Sequence, residues 1–294
     1  MRFADILPAV ITPFTTDDRV DVAALRANAE AVLDGGAAGL VATGTMGEAG
    51  SLSDDERRTV VETCVAVAGS RPVVVGVSSA STAASARYAA MGRECGAQGL
   101  MCLPPLNYPG DAHELAAHFR AVADAAGLPI MAYNNPAASG CDLTPIAIAE
   151  LAAAVPEVVA VKECSGDARR IAALVNDTEL DILIGGDDWA LEGYAAGAVG
   201  WVSGVANVAP RECAELQALV GDGKLDEARA LYRRLLPLAR LDMTPKLVQY
   251  FKGAMDAVGL RGGPTRPPRL PLTVAERDVL HAAVAALHEP AVAA

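Results

Sequence analysis

A lysine, a tyrosine and a Gly-Thr turn are the residues of this chain whose surroundings suggest chemistry. Lys162 closes the run Val158-Val159-Ala160-Val161. That stretch lacks the alternation of a half-solvated strand, so both of its faces should be covered. Burial disfavours an ammonium ion, and a neutral amine adds to carbonyl carbons to give a Schiff base. The same residues also fit a strand-end lysine whose head reaches water along its aliphatic stem. Tyr133 ends the apolar segment LPIMAY. It is either a proton relay with its hydroxyl at a mouth or a packed core tyrosine. Gly44-Thr45-Met46-Gly47 bends between an apolar run and a helical segment. Its N–H groups and the Thr45 hydroxyl suit a carboxylate, though a plain connecting turn fits as well.

Something must hold these groups together, and the chain is patterned to do it. Short apolar runs occur at 7–14, 39–45, 72–78, 99–104, 129–134, 158–162, 181–186 and 200–204, with helical segments between them. SDDERRTVVETCVAVAG opens on Ser53 with Glu56 three residues on, a capping box. DAHELAAHFRAVADAAG opens on Asp111 and closes on Gly127. Eight strand–helix units predict a (β/α)8 TIM barrel over residues 1–207. A C-terminal helical extension follows over 208–294. The alternative, an open doubly wound sheet, usually carries a G-x-G-x-x-G turn after its first strand, and none is present. Barrel active sites lie at the C-terminal strand ends. There the chain offers Thr12-Pro13-Phe14, Thr45-Met46, Tyr133-Asn134-Asn135, Lys162-Glu163, Gly185-Gly186-Asp187-Asp188 and Ser203-Gly204.

Bulk properties narrow the function classes. With 294 residues and 52% hydrophobic content the chain can bury a large core. Its net charge of −12 disfavours nucleic acid, whose phosphates need clustered Lys and Arg. Six scattered cysteines without a C-x-x-C pair predict thiols in a reducing cytosol, with neither disulfides nor zinc. The opening residues do not read as a signal peptide, and no apolar run approaches the roughly 18 residues of a membrane span. His113 and His118 in HELAAH are five apart, on different helix faces, and are expected at a surface or interface. The two aspartates of the Gly-Gly-Asp-Asp turn argue against a phosphate there.

Taken together, the motifs resemble a known family. GTMGEAGSLS is similar to the G-T-T-G-E-x-x-x-L-S motif of the dihydrodipicolinate synthase/N-acetylneuraminate lyase superfamily, YNNP to its Y-N-x-P, and VKECSGD to its K-E-x-S-G-D. PAVITPF, GGDD and RPPRLPL fit too, so the resemblance spans nearly the whole chain. It implies that Lys162 is the Schiff-base lysine and Tyr133 the proton relay. It also implies that Thr45 and Met46 bind the carboxylate and that the Val202 backbone faces a 2-oxo acid. A homotetramer without a metal cofactor is implied as well.

Three positions depart from the synthase pattern. Leu106 replaces a tyrosine supplied across a subunit interface, with Tyr108 nearby as a candidate substitute. Ala138 replaces an arginine that holds the second substrate's carboxylate, and Met46 replaces the second of paired threonines. AAGAVGWVSGVANVAPRE, LYRRLLPLARLDMTPKLVQYFK and TRPPRLPL resemble the 1-pyrroline-4-hydroxy-2-carboxylate deaminase branch. That similarity implies a lyase/deaminase releasing 2,5-dioxopentanoate and ammonia, in which Asn134 and Asn135 contact the substrate hydroxyl and Gly186 and Ser203 complete the site. The alternatives are 4-hydroxy-tetrahydrodipicolinate synthase, another pyruvate-dependent aldolase or 2-keto-3-deoxy sugar acid dehydratase, and a non-catalytic keto-acid sensor.

Overall fold

The computed structural model describes residues 1–288. The chain alternates strands and helices: β1 (Asp5–Pro8), α1 (Val22–Asp34), β2 (Leu40–Ala42), α2 (Asp54–Ala68), β3 (Val73–Gly76), α3 (Thr82–Glu94), β4 (Gly99–Cys102), α4 (Ala112–Ala126), β5 (Ile130–Asn134), α5 (Pro136–Ser139), α6 (Pro145–Ala154), β6 (Val158–Glu163), α7 (Ala168–Asp177), β7 (Asp181–Ile184), α8 (Ala190–Ala195) and β8 (Gly200–Ser203). Four helices follow: α9 (Pro210–Gly221), α10 (Leu225–Ala239), α11 (Leu247–Ala257) and α12 (Val274–Ala286). The strands are parallel, in the order β1-β8-β7-β6-β5-β4-β3-β2. The Ala9–Val41 bridge joins the two ends, with Val10 N–H donating to the Val41 carbonyl at 2.9 Å. The molecule is a (β/α)8 barrel with C-terminal helices.

All eight expected strands form, seven of them shorter than their apolar runs and β6 one residue longer. The 7–14 run illustrates why: pairing stops at Pro8 and the Ala9 bridge, and the apolar residues beyond line loops buried under other elements. Ser53 and Asp111 cap α2 and α4 with reciprocal bonds from Glu56 and Glu114, and Gly127 ends α4 in the left-handed conformation.

The expected boundary at residue 207 lies between β8 and α9. The strand signal ends with β8, but α9 packs against β1 and α8 as the eighth barrel helix, so the added helices are α10 to α12. One expectation fails at His118, which is 2% exposed between α3 and α4. Its Nδ1 lies 2.9 Å from the Thr82 hydroxyl, and burial lowers its pKa. His113 is exposed, as expected.

One irregularity in the sheet matters for the site. Ile130 pairs with Val158, but Met131 pairs with Ala160, so Val159 is an extra residue in β6. A one-residue bulge changes which side chains share a face. Here it brings Tyr133 opposite Lys162. In the unbulged register Tyr133 would face Val161, and Lys162 would point to the other side.

Candidate active site

A cavity of about 640 Å³ opens at the C-terminal strand ends, and Thr45, Met46, Tyr133, Lys162, Val202 and Asp242 are among its lining residues. Lys162 is only 7% exposed, and its Nζ lies 4.3 Å from the centroid of the Tyr133 ring. The lysine expected at the end of a buried strand is there, beside the tyrosine one strand away.

The protonation of these groups differs from the sequence expectation. Burial pulls the Lys162 pKa down, but Tyr133, Cys164, Asp242 and Asp187 push it up, and the net direction is upward. Burial also raises the Tyr133 phenol, and the Cys164 thiol is pushed up to about 12. Both are therefore uncharged near neutral pH, and burial holds Asp187 well above the usual carboxylate range, which leaves Asp242, raised to about 6, as the carboxylate acting on Lys162. The net direction for Lys162 is thus the opposite of the one that burial alone would give.

The asparagines divide the work. Asn135 Nδ2 donates to the Tyr133 hydroxyl at 2.9 Å, while its Oδ1 accepts from Ala138 N–H at 3.1 Å and caps α5. Asn134 is fully buried on the other face of β5. Its Oδ1 accepts from Leu143 N–H and its Nδ2 donates to Glu163 Oε2, each at 3.0 Å. Asn134 is therefore a strut outside the cavity, not a substrate contact.

Two further candidates move the same way. Ser203 Oγ accepts from Ala206 N–H at 3.0 Å in the buried turn after β8 and does not line the cavity. Gly186 faces Trp189, whose Nε1 would lie 2.2 Å from any β-carbon placed there, and it is Gly185 that borders the cavity. Tyr108 is 52% exposed, with its hydroxyl donating to Glu114 at 2.8 Å, and within this chain it does not reach the cavity.

The Gly44–Gly47 turn is held from behind. Thr12 Oγ1 donates to the Gly47 carbonyl at 2.8 Å, and a β-carbon on Gly47 would come within 2.9 Å of the Val10 carbonyl oxygen. Glu48, the next residue, adopts a left-handed conformation and is buried. Its carboxylate sits 2.6 Å from Lys252 Nζ of α11 and accepts from Arg266 N–H at 3.1 Å. The turn thus hangs on the C-terminal helices while Thr45 stays exposed at the mouth.

Sequence reasoning missed Asp242. Pro237 interrupts the last turn of α10, and the chain leaves that helix through a 3-10 turn, Arg240–Met243, which packs on the turn Asp187–Trp189 after β7. That path carries Asp242 into the cavity. The available signal was an acidic residue between a helix-breaking Pro237 and Pro245, in a segment otherwise rich in leucine. Among the described residues, no group of three or more His, Cys, Asp or Glu could hold a metal ion.

Comparison with known proteins agrees with this geometry. The dihydrodipicolinate synthetase family matches residues 2–287. A 4-hydroxy-tetrahydrodipicolinate synthase of Hyphomonas neptunium is 36% identical over 288 residues, covering 96% of this chain and 98% of its own. The synthase of Kineococcus radiotolerans is 38% identical, covering 96% and 92%. Among solved structures, a putative dihydrodipicolinate synthetase from Pseudomonas aeruginosa superposes with a TM-score of 0.92 at 33% identity, covering 97% of this chain and all of that one. These relatives carry the synthase name, and this corrects the expectation of a pyrroline-hydroxycarboxylate deaminase.

Proposed function

Because the chain belongs to the dihydrodipicolinate synthetase family, whose enzymes form a Schiff base on a lysine, we propose that it condenses pyruvate with an aldehyde as a 4-hydroxy-tetrahydrodipicolinate synthase. The observation that carries this reading is the Tyr133–Lys162 pair on one face of the barrel mouth. The Lys162 ammonium and the C2 ketone give an iminium ion and water, with two protons moving from nitrogen to the departing oxygen. The iminium acidifies C3, and loss of a C3 proton gives an enamine. The enamine carbon then bonds to the aldehyde carbon of aspartate semialdehyde. The acceptor's amine displaces Lys162 at C2 and closes the ring.

Tyr133, oriented by Asn135, relays the protons. The N–H groups at Thr45 and Met46 hold the pyruvate carboxylate, with the Val202 backbone beside it. No metal takes part in this scheme, and a cytoplasmic homotetramer belongs to the same reading. In it, Tyr108 acts across an interface as the relay at the place where Leu106 stands.

A second reading, a pyruvate-dependent aldolase with a different acceptor, is favoured by Ala138. The cavity there offers a methyl group, whereas a second carboxylate in a partly dry site is best held by a bidentate guanidinium. The experiment supplies pyruvate with aspartate semialdehyde and, separately, with glyceraldehyde, which lacks a carboxylate. A higher kcat/KM for the semialdehyde supports the synthase. A higher value for glyceraldehyde supports the second reading, and turnover of neither contradicts both.

A further inference from the structure

The side chains lining the cavity include one full cation, Lys162, and one carboxylate, Asp242. We propose that Asp242, delivered by the turn after α10, is the counter-ion of the cation on the Lys162 nitrogen, first as ammonium and then as iminium. This deepens the Schiff-base reading above and rests on it.

The geometry is specific. A methyl group placed on Gly204 would lie 3.4 Å from Asp242 Oδ1 and 3.0 Å from Asp187 Oδ2, so the two carboxylates converge beside the end of β8. Their surroundings differ, however. Asp187 is fully buried and accepts from Gly204 N–H at 3.1 Å and Val205 N–H at 2.8 Å, which commits it to the turn after β8. Asp242 is half-buried and borders the open cavity. Of the two, it is the carboxylate that borders the space beside Lys162.

Charge conservation gives the counter-ion its role. Ammonium plus ketone yields iminium plus water, so the nitrogen carries one positive charge at the start and at the end. In a cavity walled by Met46, Met101, Val202 and Leu247, that charge has little water to lean on. A fixed carboxylate stabilises both cations against loss of the proton. The titratable groups acting on Asp242 are Lys162 and Asp188, with Asp187 coupled to it, while Tyr133 and Cys164 sense it in turn. Burial pushes its own pKa up to about 6, with Lys162 opposing, so it is ionised at neutral pH and above.

The test follows iminium formation with pyruvate, trapped by cyanoborohydride, as a function of pH in the full-length protein. Trapping falls at alkaline pH as the nitrogen loses its proton. In Asp242→Asn and in the smaller Asp242→Ser, that alkaline edge should move down by about one pH unit or more. Asp242→Glu, which keeps the charge, should hold the edge near its wild-type position. An unmoved edge in both neutral variants overturns the counter-ion role, as does a Glu variant that shifts as far as Asn does. Absence of any trapped adduct in the wild type overturns the Schiff-base reading itself, a failure distinct from the first.

Discussion

At the residue scale three side chains stand together at the cavity: Lys162, Tyr133 and Asn135. Tyr133→Phe keeps the packed ring and removes the proton. It should lower kcat by roughly 10²-fold or more with KM little changed, because general acid–base groups contribute on that order. Steady-state kinetics at saturating pyruvate would decide, and a wild-type kcat would remove Tyr133 from the scheme. Asn135→Ala should have a smaller effect, about tenfold or less, since it removes one hydrogen bond to the phenol. The lysine and tyrosine were legible in the sequence because each ends an apolar run. Asn134 and Ser203 lie outside the cavity lining for a reason present in the sequence. Successive strand residues point to opposite faces, so the neighbours of Tyr133 and Val202 had to face away from the cavity. Asp242 was not legible, because its place depends on how α10 ends rather than on any strand.

At the element scale, two features hold the site in register. The Val159 bulge aligns β5 and β6, and nothing in the run VVAV announces it. The Glu48–Lys252 pair joins the Gly44–Gly47 turn to α11, with both side chains almost wholly buried at 0% and 2%. Removing one partner of such a pair leaves a charge without compensation. Lys252→Ala should therefore destabilise the fold by about 3–5 kcal/mol in denaturant titrations. Lys252→Met, which keeps the stem and its packing, should lose less, because Arg269 Nη1 at 3.6 Å and the Arg266 N–H remain beside Glu48. A loss below about 1 kcal/mol in both would show that the pair does not anchor the turn.

At the scale of the whole molecule, the barrel was legible because eight apolar runs separated by capped helices admit few other arrangements. Its end was not, because α9 and α10 read as one continuous helical stretch and only packing separates the barrel's own helix from the added ones. Those added helices supply Asp242 and Lys252, so the extension is part of the site. The chain also leaves large apolar side chains in water, with Leu270 71%, Val274 66% and Val279 53% exposed around the start of α12. Covering them in an assembly fits the proposed homotetramer. Light scattering coupled to gel filtration should give about four times the chain mass of 30.1 kDa. A monomer mass would contradict the assembly and, with it, any role for Tyr108 across an interface.

The central claim is that Lys162 becomes covalently bound to a 2-oxo acid. Borohydride reduction of the protein with pyruvate, followed by peptide mass spectrometry, tests it most directly. One reduced pyruvyl group is expected on the peptide containing Lys162, and none on that peptide in Lys162→Ala. An adduct on another lysine, or one that persists in Lys162→Ala, would contradict it.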